Sequence, residues 1–250
     1  MDSKAKELIK GMKEVGKIAR DALDNVEQYI KVGVTTDELD KICADFILSR
    51  GAKSAPLGYG GFPKSICTSV NNMICHGVPD ETILEEGDII NIDVTPIYNG
   101  YHGDSSRTFI VGKTEPEIED LVDCAEKAMW EGINLIRAGI KTGDIGNATE
   151  KYVKNRGFHA CRDIGGHGIG KKFHGDPFIP AFGRKGKGFV LQPWTCITVE
   201  PAVNQTKTRS VEVAIENSSI TEIMTENDCF SAQFEHTVLI TDTGFEIMTL

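Results

Sequence analysis

The sequence predicts an α+β domain built from two related halves, in which helices precede a run of β-strands. One observation is a duplication: GVTTDELDKICADFILSRG at 33–51 matches GIKTGDIGNATEKYVKNRG at 139–157 without a gap, at an offset of 106 residues (139 − 33). Another is the alternation of apolar and polar residues, typical of strands, at about 65–111 and again at about 196–248. A repeat of this length is too long for a solenoid unit, so we expect a single domain.

The expected domain spans residues 1–250, with halves at about 1–112 and 113–250. The same offset aligns the helices that precede the matched segments, pairing Ala19 with Ala125. Chance similarity is the alternative, because any two amphipathic helices share the spacing of their apolar stripe. Matching terminal glycines and equal loop lengths favour a true duplication.

Capping residues set the expected helix boundaries. Thr35 and Glu38 have the spacing of a capping box, and Thr114 with Glu117 repeats it at the first helix of the second half. Glycine is expected to end these two helices, at Gly51 and near Gly139.

Three carboxylates lie in strand-like runs: Asp93 in IINIDVT, Glu200 in CITVE and Glu235 in QFEHTVLI. In each run, polar side chains share one face and apolar side chains fill the other. Solvated surface is the alternative for any one of them, because charged side chains are mostly exposed.

A tight turn brings a fourth carboxylate close to the first. If Asn99 and Gly100 form a two-residue hairpin turn, paired positions sum to 199, so Thr95 faces Asp104 and Asp93 lies diagonally beside it. Diagonal neighbours are roughly 7 to 8 Å apart at the backbone, which allows two Asp side chains to converge on a cation. A register shift of one residue would send them to opposite faces.

Composition limits the possible functions. The chain has 250 residues, 40% of them hydrophobic, and a formal net charge of −10, which argues against a protein that mainly grips phosphate backbones. Seven cysteines without C-x-x-C spacing suggest reduced thiols in a cytoplasmic protein. No apolar run approaches the roughly 18 residues of a membrane span, so neither export nor membrane insertion is expected.

Three histidines lie in segments that contain glycine: His76 in ICHGVPD, His167 in GGHGIG and His174 in FHGDP. GGHGIG could be a phosphate loop, but it lacks the G-x-G-x-x-G spacing and is not followed by a helical pattern. Each histidine alone could be structural. Beside converging carboxylates, we interpret them as a metal ligand and proton donors in glycine-bearing loops.

Six ordered motifs spread over essentially the whole chain resemble those of the type I methionine aminopeptidases. They are NNMICHGVPD, NIDVT, GYHGDSSRTF, GGHGIGKKFHGDP, TVEPAVN and SAQFEHTVLI. The resemblance implies the pita-bread fold, an α+β domain with helices packed on a curved antiparallel sheet. It also implies removal of the initiator methionine from nascent proteins and peptides with a small second residue, through a metal-bridging hydroxide.

The resemblance also implies a dinuclear metal centre. Its expected ligands are Asp93, Asp104, His167, Glu200 and Glu235. Oxygen ligands with one imidazole suit cobalt, manganese, iron or zinc, and ligand softness leaves the identity open.

Further roles follow from the same motifs. Glu200 resembles a proton shuttle as well as a ligand, while His76 and His174 resemble hydrogen-bond donors to the tetrahedral intermediate and the scissile amide. The motifs also imply a site for one sodium or potassium ion at Asn71, Met73 and Ser231.

The resemblance also implies a methionine pocket, and this sequence departs from the family pattern there in two respects. Its expected lining is Tyr59, Phe62, Cys67 and Phe173, together with His76 and His174. Aromatic rings and a thiol suit a polarizable thioether, although core packing could also explain them. Pro56 stands where many relatives have cysteine, and the segment ITEIMTENDCF lacks a tryptophan that some relatives have.

The segment between His174 and Glu200 is too short for the helical insertion of type II enzymes, so the resemblance is to the short, bacterial-style type. Two alternatives remain: a proline-directed peptidase of the same fold, which usually has an added N-terminal domain, and a binding relative that has lost catalysis, which typically loses metal ligands. The expected partners are nascent polypeptide N-termini and the ribosome. We expect a cytoplasmic monomer without a nucleic-acid site or membrane attachment.

Overall fold

The computed structural model describes residues 2–250, so the first residue of the expected domain 1–250 lies outside the described residues. These residues form four α-helices, a short 3-10 turn and 17 strands. The helices are α1 (Ser3–Glu27), α2 (Thr36–Ser49), α3 (Pro116–Ile133) and α4 (Thr142–Asn155). The strands are β1 (Lys53–Ser54), β2 (Cys67–Val70), β3 (Met73–Cys75), β4 (Ile89–Val94), β5 (Pro96–Tyr98), β6 (Tyr101–His102), β7 (Ser105–Ile110), β8 (His159–Ala160), β9 (Gly165–Ile169), β10 (Gly175–Pro180), β11 (Cys196–Val199), β12 (Ala202–Asn204), β13 (Ser210–Ala214), β14 (Thr221–Thr225), β15 (Ser231–Gln233), β16 (Glu235–Ile240) and β17 (Phe245–Ile247).

The two helix pairs match at the predicted offset. Helix α4 begins and ends 106 residues after α2 (142 − 36 and 155 − 49), and α3 ends 106 residues after α1 (133 − 27). The glycines that precede α2 and α4 also match, with φ of 91° at Gly33 and 88° at Gly139. The division into halves at about 1–112 and 113–250 stays a prediction.

The capping box of α2 is confirmed. The Glu38 N–H donates to Thr35 Oγ1 over 3.2 Å, and the Thr35 N–H donates to Glu38 Oε2 over 2.9 Å. These two bonds satisfy donors that the first helical turn leaves without partners.

The boundaries predicted for α3 are wrong. Glu115 precedes the helix without a side-chain cap, and Pro116 is its first residue. Proline suits that position because its missing N–H would have no helical partner there. The Thr114 hydroxyl instead donates to the Gly87 carbonyl over 3.0 Å. The helix ends at Ile133, six residues before Gly139 (139 − 133), which belongs to the turn that leads into α4.

The central sheet is antiparallel, with strand order β10-β9-β11-β16-β7-β4-β2. Strand β17 pairs with β16 outside this path, and three smaller sheets surround it. Helices α1 and α2 pack on β4 through a core that includes Leu23, Leu39 and Ile92. Helices α3 and α4 pack on β11 and β16 through a core that includes Met129 and Val238. The helices therefore cover a sheet whose middle strands are β7 and β16.

The predicted hairpin register is confirmed. Tyr98 pairs with Tyr101 across the turn, and Asp93 pairs with Ser106 farther along, so both pairs sum to 199. The Thr95 hydroxyl donates to Asp104 Oδ1 over 2.7 Å. Asp93 and Asp104 therefore lie on the same face of the sheet.

The strands of the second half begin earlier than predicted, at His159 rather than about Cys196. His167 accordingly lies in strand β9 and not in a loop. A Cβ atom at Gly166 would lie 2.3 Å from the Thr198 carbonyl oxygen, and one at Gly168 would lie 2.0 Å from that of Asp176. Only glycine permits such close packing of β9 between its neighbours.

None of the helices within residues 2–250 is both long enough and apolar enough to cross a membrane.

Candidate active site

Strand geometry brings the five expected metal ligands to one cavity of about 430 Å³. The central strands β4, β9 and β16 carry three of them, and the other two lie directly before β7 and directly after β11. In chain order they are Asp93, Asp104, His167, Glu200 and Glu235. The cavity thus lies across the middle of the sheet, where the strands of both predicted halves meet.

The distances among these side chains suit a metal ion. Asp104, His167 and Glu235 can each offer a ligand atom within 4.8 Å of the others. His167 Nε2 lies 3.5 Å from Asp104 Oδ2 and 3.6 Å from Glu200 Oε1. His167 Nδ1 lies 3.1 Å from the Gly168 carbonyl oxygen, which can only accept, so Nδ1 carries a proton and Nε2 can act as a ligand.

Burial makes the carboxylate cluster costly without a cation. Asp104 is 4% exposed and Glu235 is 3% exposed. Asp93 Oδ1 and Glu235 Oε1 are buried without a hydrogen-bond partner within residues 2–250. Burial and then the neighbouring carboxylates raise the pKa of Asp93 and Glu235 well above the usual range. Oxygen atoms that face one another without partners fit a divalent cation, whose charge would offset this cost.

His167 and Glu200 also respond to this environment. Burial favours the neutral imidazole, but the hydrogen bond to Asp104 and the charge of Glu200 together raise the pKa of His167 to about 9. Burial raises the pKa of Glu200 as well. The cluster of carboxylates thus favours a positive charge at this position.

Polar residues beside the ligands hold them in place. Thr198 accepts a bond from the His167 N–H over 2.9 Å and donates to Glu200 Oε1 over 2.7 Å. Gln233 Nε2 donates to the Glu200 carbonyl over 2.9 Å. The Asp104 N–H donates to the Thr237 hydroxyl, which donates back to the Asp104 carbonyl over 2.8 Å. These contacts restrict the ligand side chains before any metal binds.

Aromatic residues line the same cavity. The rings of Tyr59 and Phe173 meet edge to face with centroids 5.1 Å apart, and Phe173 stacks on His174 at 3.9 Å. His174 Nδ1 lies 2.9 Å from the Tyr59 hydroxyl. The expected pocket residues Phe62 and Cys67 line the cavity too, as do Pro56 and His76.

Several lining residues were missed in the sequence. Cys75, next to His76, could have been found from its position in the ICHG motif. The others have no signal beyond ordinary core or loop composition: Asp163, Ile164, Phe178, Ile220 and Ile223.

The residues expected at a monovalent cation are neighbours. The Ser231 N–H donates to the Asn71 carbonyl over 2.8 Å, and Met73 begins the next strand, β3. The Asn71 side chain is already bonded to the Ile89 N–H and to Asp88. The Ser231 hydroxyl oxygen is buried without a partner within the described residues.

An antiparallel sheet covered by helix pairs, with buried carboxylates and an imidazole around one cavity, defines a metal-dependent hydrolase. The chain belongs to metallopeptidase family M24, whose model matches residues 10–242.

The chain is similar to proteins named methionine aminopeptidase. It is 46% identical to methionine aminopeptidase A of Synechocystis sp. over 97% of this chain and 94% of that protein. It is 41% identical to the Escherichia coli K12 methionine aminopeptidase, over 99% and 93% respectively. The crystal structure of the Rickettsia prowazekii enzyme superposes with a TM-score of 0.95 and 41% identity over 98% of both chains. The predicted pita-bread fold is thereby confirmed.

Proposed function

We propose that the chain removes the N-terminal methionine from nascent proteins and peptides whose second residue is small. The main observation is that a buried ligand cluster and an aromatic pocket with a thiol share one cavity of about 430 Å³. A cleft of this size can enclose one large side chain beside the reacting bond. The 41–46% identity to proteins named methionine aminopeptidase supports the same conclusion.

Divalent metal ions fit the ligand cluster, and we propose two of them, with cobalt, manganese, iron or zinc as candidates. The residues that would hold them are Asp93, Asp104, His167, Glu200 and Glu235. Bound ions would supply Lewis acidity and lower the pKa of a water molecule.

Glu200 is the proposed proton shuttle. Its carboxylate borders the cavity, and Thr198 and Gln233 restrict its orientation. From this position it can accept a proton from attacking water and pass it to the departing amine.

Two neutral histidines would orient the substrate. Burial is the largest cause that lowers the pKa of His174 to about 4, so its ring is neutral at pH 7. If the Tyr59 hydroxyl donates to Nδ1, the His174 Nε2–H is free to donate to the substrate carbonyl. His76 Nδ1 lies 3.2 Å from the Thr221 carbonyl and must donate to it, while burial lowers the pKa of His76. We therefore assign His76 Nε2 an acceptor role toward the scissile N–H, in place of the predicted donor role.

The proposed methionine pocket combines Tyr59, Phe62, Cys67 and Phe173. Aromatic edges and a thiol interact favourably with a thioether. Pro56 lines the same pocket and offers no thiol.

Several finer proposals accompany this function. A sodium or potassium ion would sit at Asn71, Met73 and Ser231, where the Ser231 hydroxyl lacks a partner within residues 2–250. The substrates would be nascent chains at the ribosome, and the enzyme would act as a cytoplasmic monomer.

Peptide cleavage tests this function. With manganese, iron or cobalt present, Met-Ala-Ser and Met-Gly-Ser should lose methionine, whereas Met-Lys-Ser should remain intact. Peptides with proline second and an arbitrary first residue separate the two peptidase types. Preferred cleavage of Ala-Pro-Ser over Met-Ala-Ser would establish the proline-directed alternative.

A further inference from the structure

A second and larger cavity, of about 1120 Å³, adjoins the candidate active site. Asp163 and Ile223 line both cavities. Strands β8 and β13 contribute to its lining through His159 and Ser210. We call this larger cavity the side groove.

Basic side chains outnumber acidic ones in the side groove by four to three: Lys154, Arg162, Lys207 and Arg209 against Glu150, Asp163 and Glu212. Lys154 and Arg162 both pair with Glu150. Lys207 and Arg209 are exposed, and neither takes part in an ion pair within residues 2–250. Among the described residues, Lys207 and Arg209 are therefore the basic side chains of the side groove that remain free to attract an acidic ligand.

A buried polar group also faces the side groove. The Asn204 side chain lines it and is only 3% exposed. Its Oδ1 atom has no hydrogen-bond partner in the part of the chain that the structure describes. A buried amide of this kind normally has a partner, so the wall is suited to a ligand with polar backbone groups.

We propose that the side groove binds the third and following residues of the polypeptide substrate and favours acidic side chains there. The inference rests on the proposed function. The smaller cavity encloses only the first residues, so the rest of the chain must leave it, and the side groove is continuous with it at Asp163 and Ile223. Asp163 would repel an acidic side chain at that boundary, whereas Lys207 and Arg209 would attract one beyond it.

Matched peptides test the proposal. Met-Ala-Ala-Glu-Glu-Ala and Met-Ala-Ala-Lys-Lys-Ala differ only at positions four and five. At low salt we expect kcat/KM to favour the acidic peptide about tenfold, the size expected for two exposed ion pairs. The preference should shrink at high salt, because exposed charges are screened.

Charge reversal provides the variant. Lys207→Glu with Arg209→Glu should reverse the preference and leave cleavage of the short substrate Met-Ala-NH2 unchanged. Lys185→Glu with Lys187→Glu is the matched control, since it changes the net charge equally on an exposed loop outside the side groove. This control should keep the acidic preference.

The outcomes separate the two levels of inference. Equal cleavage of both hexapeptides, or a preference that survives in the charge-reversed variant, would overturn the side-groove proposal. If the protein without substitutions failed to cleave Met-Ala-NH2, the proposed function itself would be overturned.

Discussion

Two histidines with centroids 4.4 Å apart have opposite electrostatic environments. His167 faces Asp104 and Glu200, and its pKa rises to about 9. The pKa of His174 falls to about 4, because it is buried and faces the cationic His167. The distances from Nε2 to Asp104 and Glu200 assign His167 the proposed role of metal ligand, and the neutral ring of His174 suits the proposed role of donor.

Alanine substitutions should separate these tasks. His167→Ala should lower both metal content and turnover, because it removes a ligand. His174→Ala should keep near-normal metal content and lose roughly 100 to 1000-fold in kcat, as when one transition-state donor is removed. Metal analysis, steady-state kinetics and thermal unfolding of both variants provide the measurement. Equal metal loss in both would contradict the assignment.

Trp194 has a backbone conformation that glycine normally adopts. Its φ is 63°, in the left-handed region. The matched glycines Gly33 and Gly139 make equivalent hydrogen bonds: the Gly33 N–H donates to the Leu84 carbonyl, and the Gly139 N–H donates to the Leu191 carbonyl. These two carbonyls are 107 residues apart in sequence, which gives the offset for this part of the chain (191 − 84). At that offset the counterpart of Trp194 is Gly87, whose φ is 93° (194 − 107). The two positions that this offset relates therefore share a backbone conformation although their residues differ.

Paired substitutions should measure this backbone strain. Trp194→Gly and Trp194→Ala remove the same indole contacts, but only glycine adopts positive φ freely. We expect the glycine variant to be more stable by roughly 1 kcal/mol in urea unfolding. Gly87→Ala should lose a similar amount. Equal stability of the two Trp194 variants would mean that the backbone relaxes without cost.

At the scale of elements, the two helix pairs share a cation–aromatic contact. The guanidinium of Arg50 lies 5.4 Å from the ring centre of Phe46, and that of Arg156 lies 5.9 Å from that of Tyr152. Both contacts match at the offset of 106 residues (156 − 50 and 152 − 46). Each joins the end of the second helix to its own last turn.

The same arginines reach an ion pair on the preceding helix, but its charges are exchanged. Lys17 bonds Asp21 over 2.7 Å in α1, whereas Asp123 bonds Lys127 over 2.6 Å in α3. Arg50 bonds Asp21 over 2.6 Å, and its counterpart Arg156 bonds Asp123 over 3.0 Å. The aspartate thus lies one helical turn earlier in α3 than in α1, but in both pairs it bonds the arginine at the end of the second helix.

Acid titration should reveal the contribution of the ion pairs of Asp21. Burial opposes ionisation of Asp21, but Lys17 and Arg20 outweigh it and lower its pKa. In the unfolded chain an aspartate has a pKa of about 3.9. When folding lowers this pKa, the ionised carboxylate stabilises the folded state above that pH, and the stabilisation is lost as the pH falls through the lower, folded-state pKa. Asp21→Asn should therefore reduce the free energy of unfolding by about 1 kcal/mol at pH 7, with a smaller difference below about pH 4.

Urea unfolding at several pH values provides the measurement. Asp45→Asn is the control, because within residues 2–250 Asp45 pairs only with Lys41, on the exposed face of α2. A deficit in Asp21→Asn that stays constant with pH would indicate lost packing rather than lost charge.

Local rules predicted some elements and missed others. The Asn99-Gly100 turn determines the register of a long hairpin, so Asp93 and Asp104 could be placed on one face from the sequence. Strand β9 was missed because GGHGI has no apolar alternation and glycine disfavours strands. Its strand conformation comes from close packing between β10 and β11, which depends on residues distant in sequence. The side groove could not be predicted from the sequence for the same reason, because the residues that line it are distant in sequence.

At the scale of the whole molecule, the two sides of the central sheet are connected by a short strand pairing between β7 and β16. Strands β7 and β16 share two residue pairs, Ser106 with Glu235 and Ser105 with His236. Strands β4 and β7 share six. The expected ligands lie on both sides of this junction, so bound metal would connect the two sides.

Metal removal should therefore weaken the fold as well as abolish activity. A ligand at 100 times its dissociation constant stabilises the folded state by about 2.7 kcal/mol. For a chain of this size, chelation should lower the thermal midpoint by about 5 to 10 °C. Manganese, iron or cobalt should restore both midpoint and turnover, while Asp104→Asn should show little metal-dependent shift. Full turnover by verified metal-free protein would overturn the proposed mechanism.

The position of the cavity across the β7–β16 junction also affects how the centre assembles. Asp93 and Asp104 lie on one side of it, and His167, Glu200 and Glu235 lie on the other, so neither side alone holds the complete ligand set. Separate fragments would have to meet by diffusion, at a rate set by their dilution. Covalent continuity replaces that encounter with a fixed effective concentration. Assembly of the full ligand set is thus independent of the protein concentration.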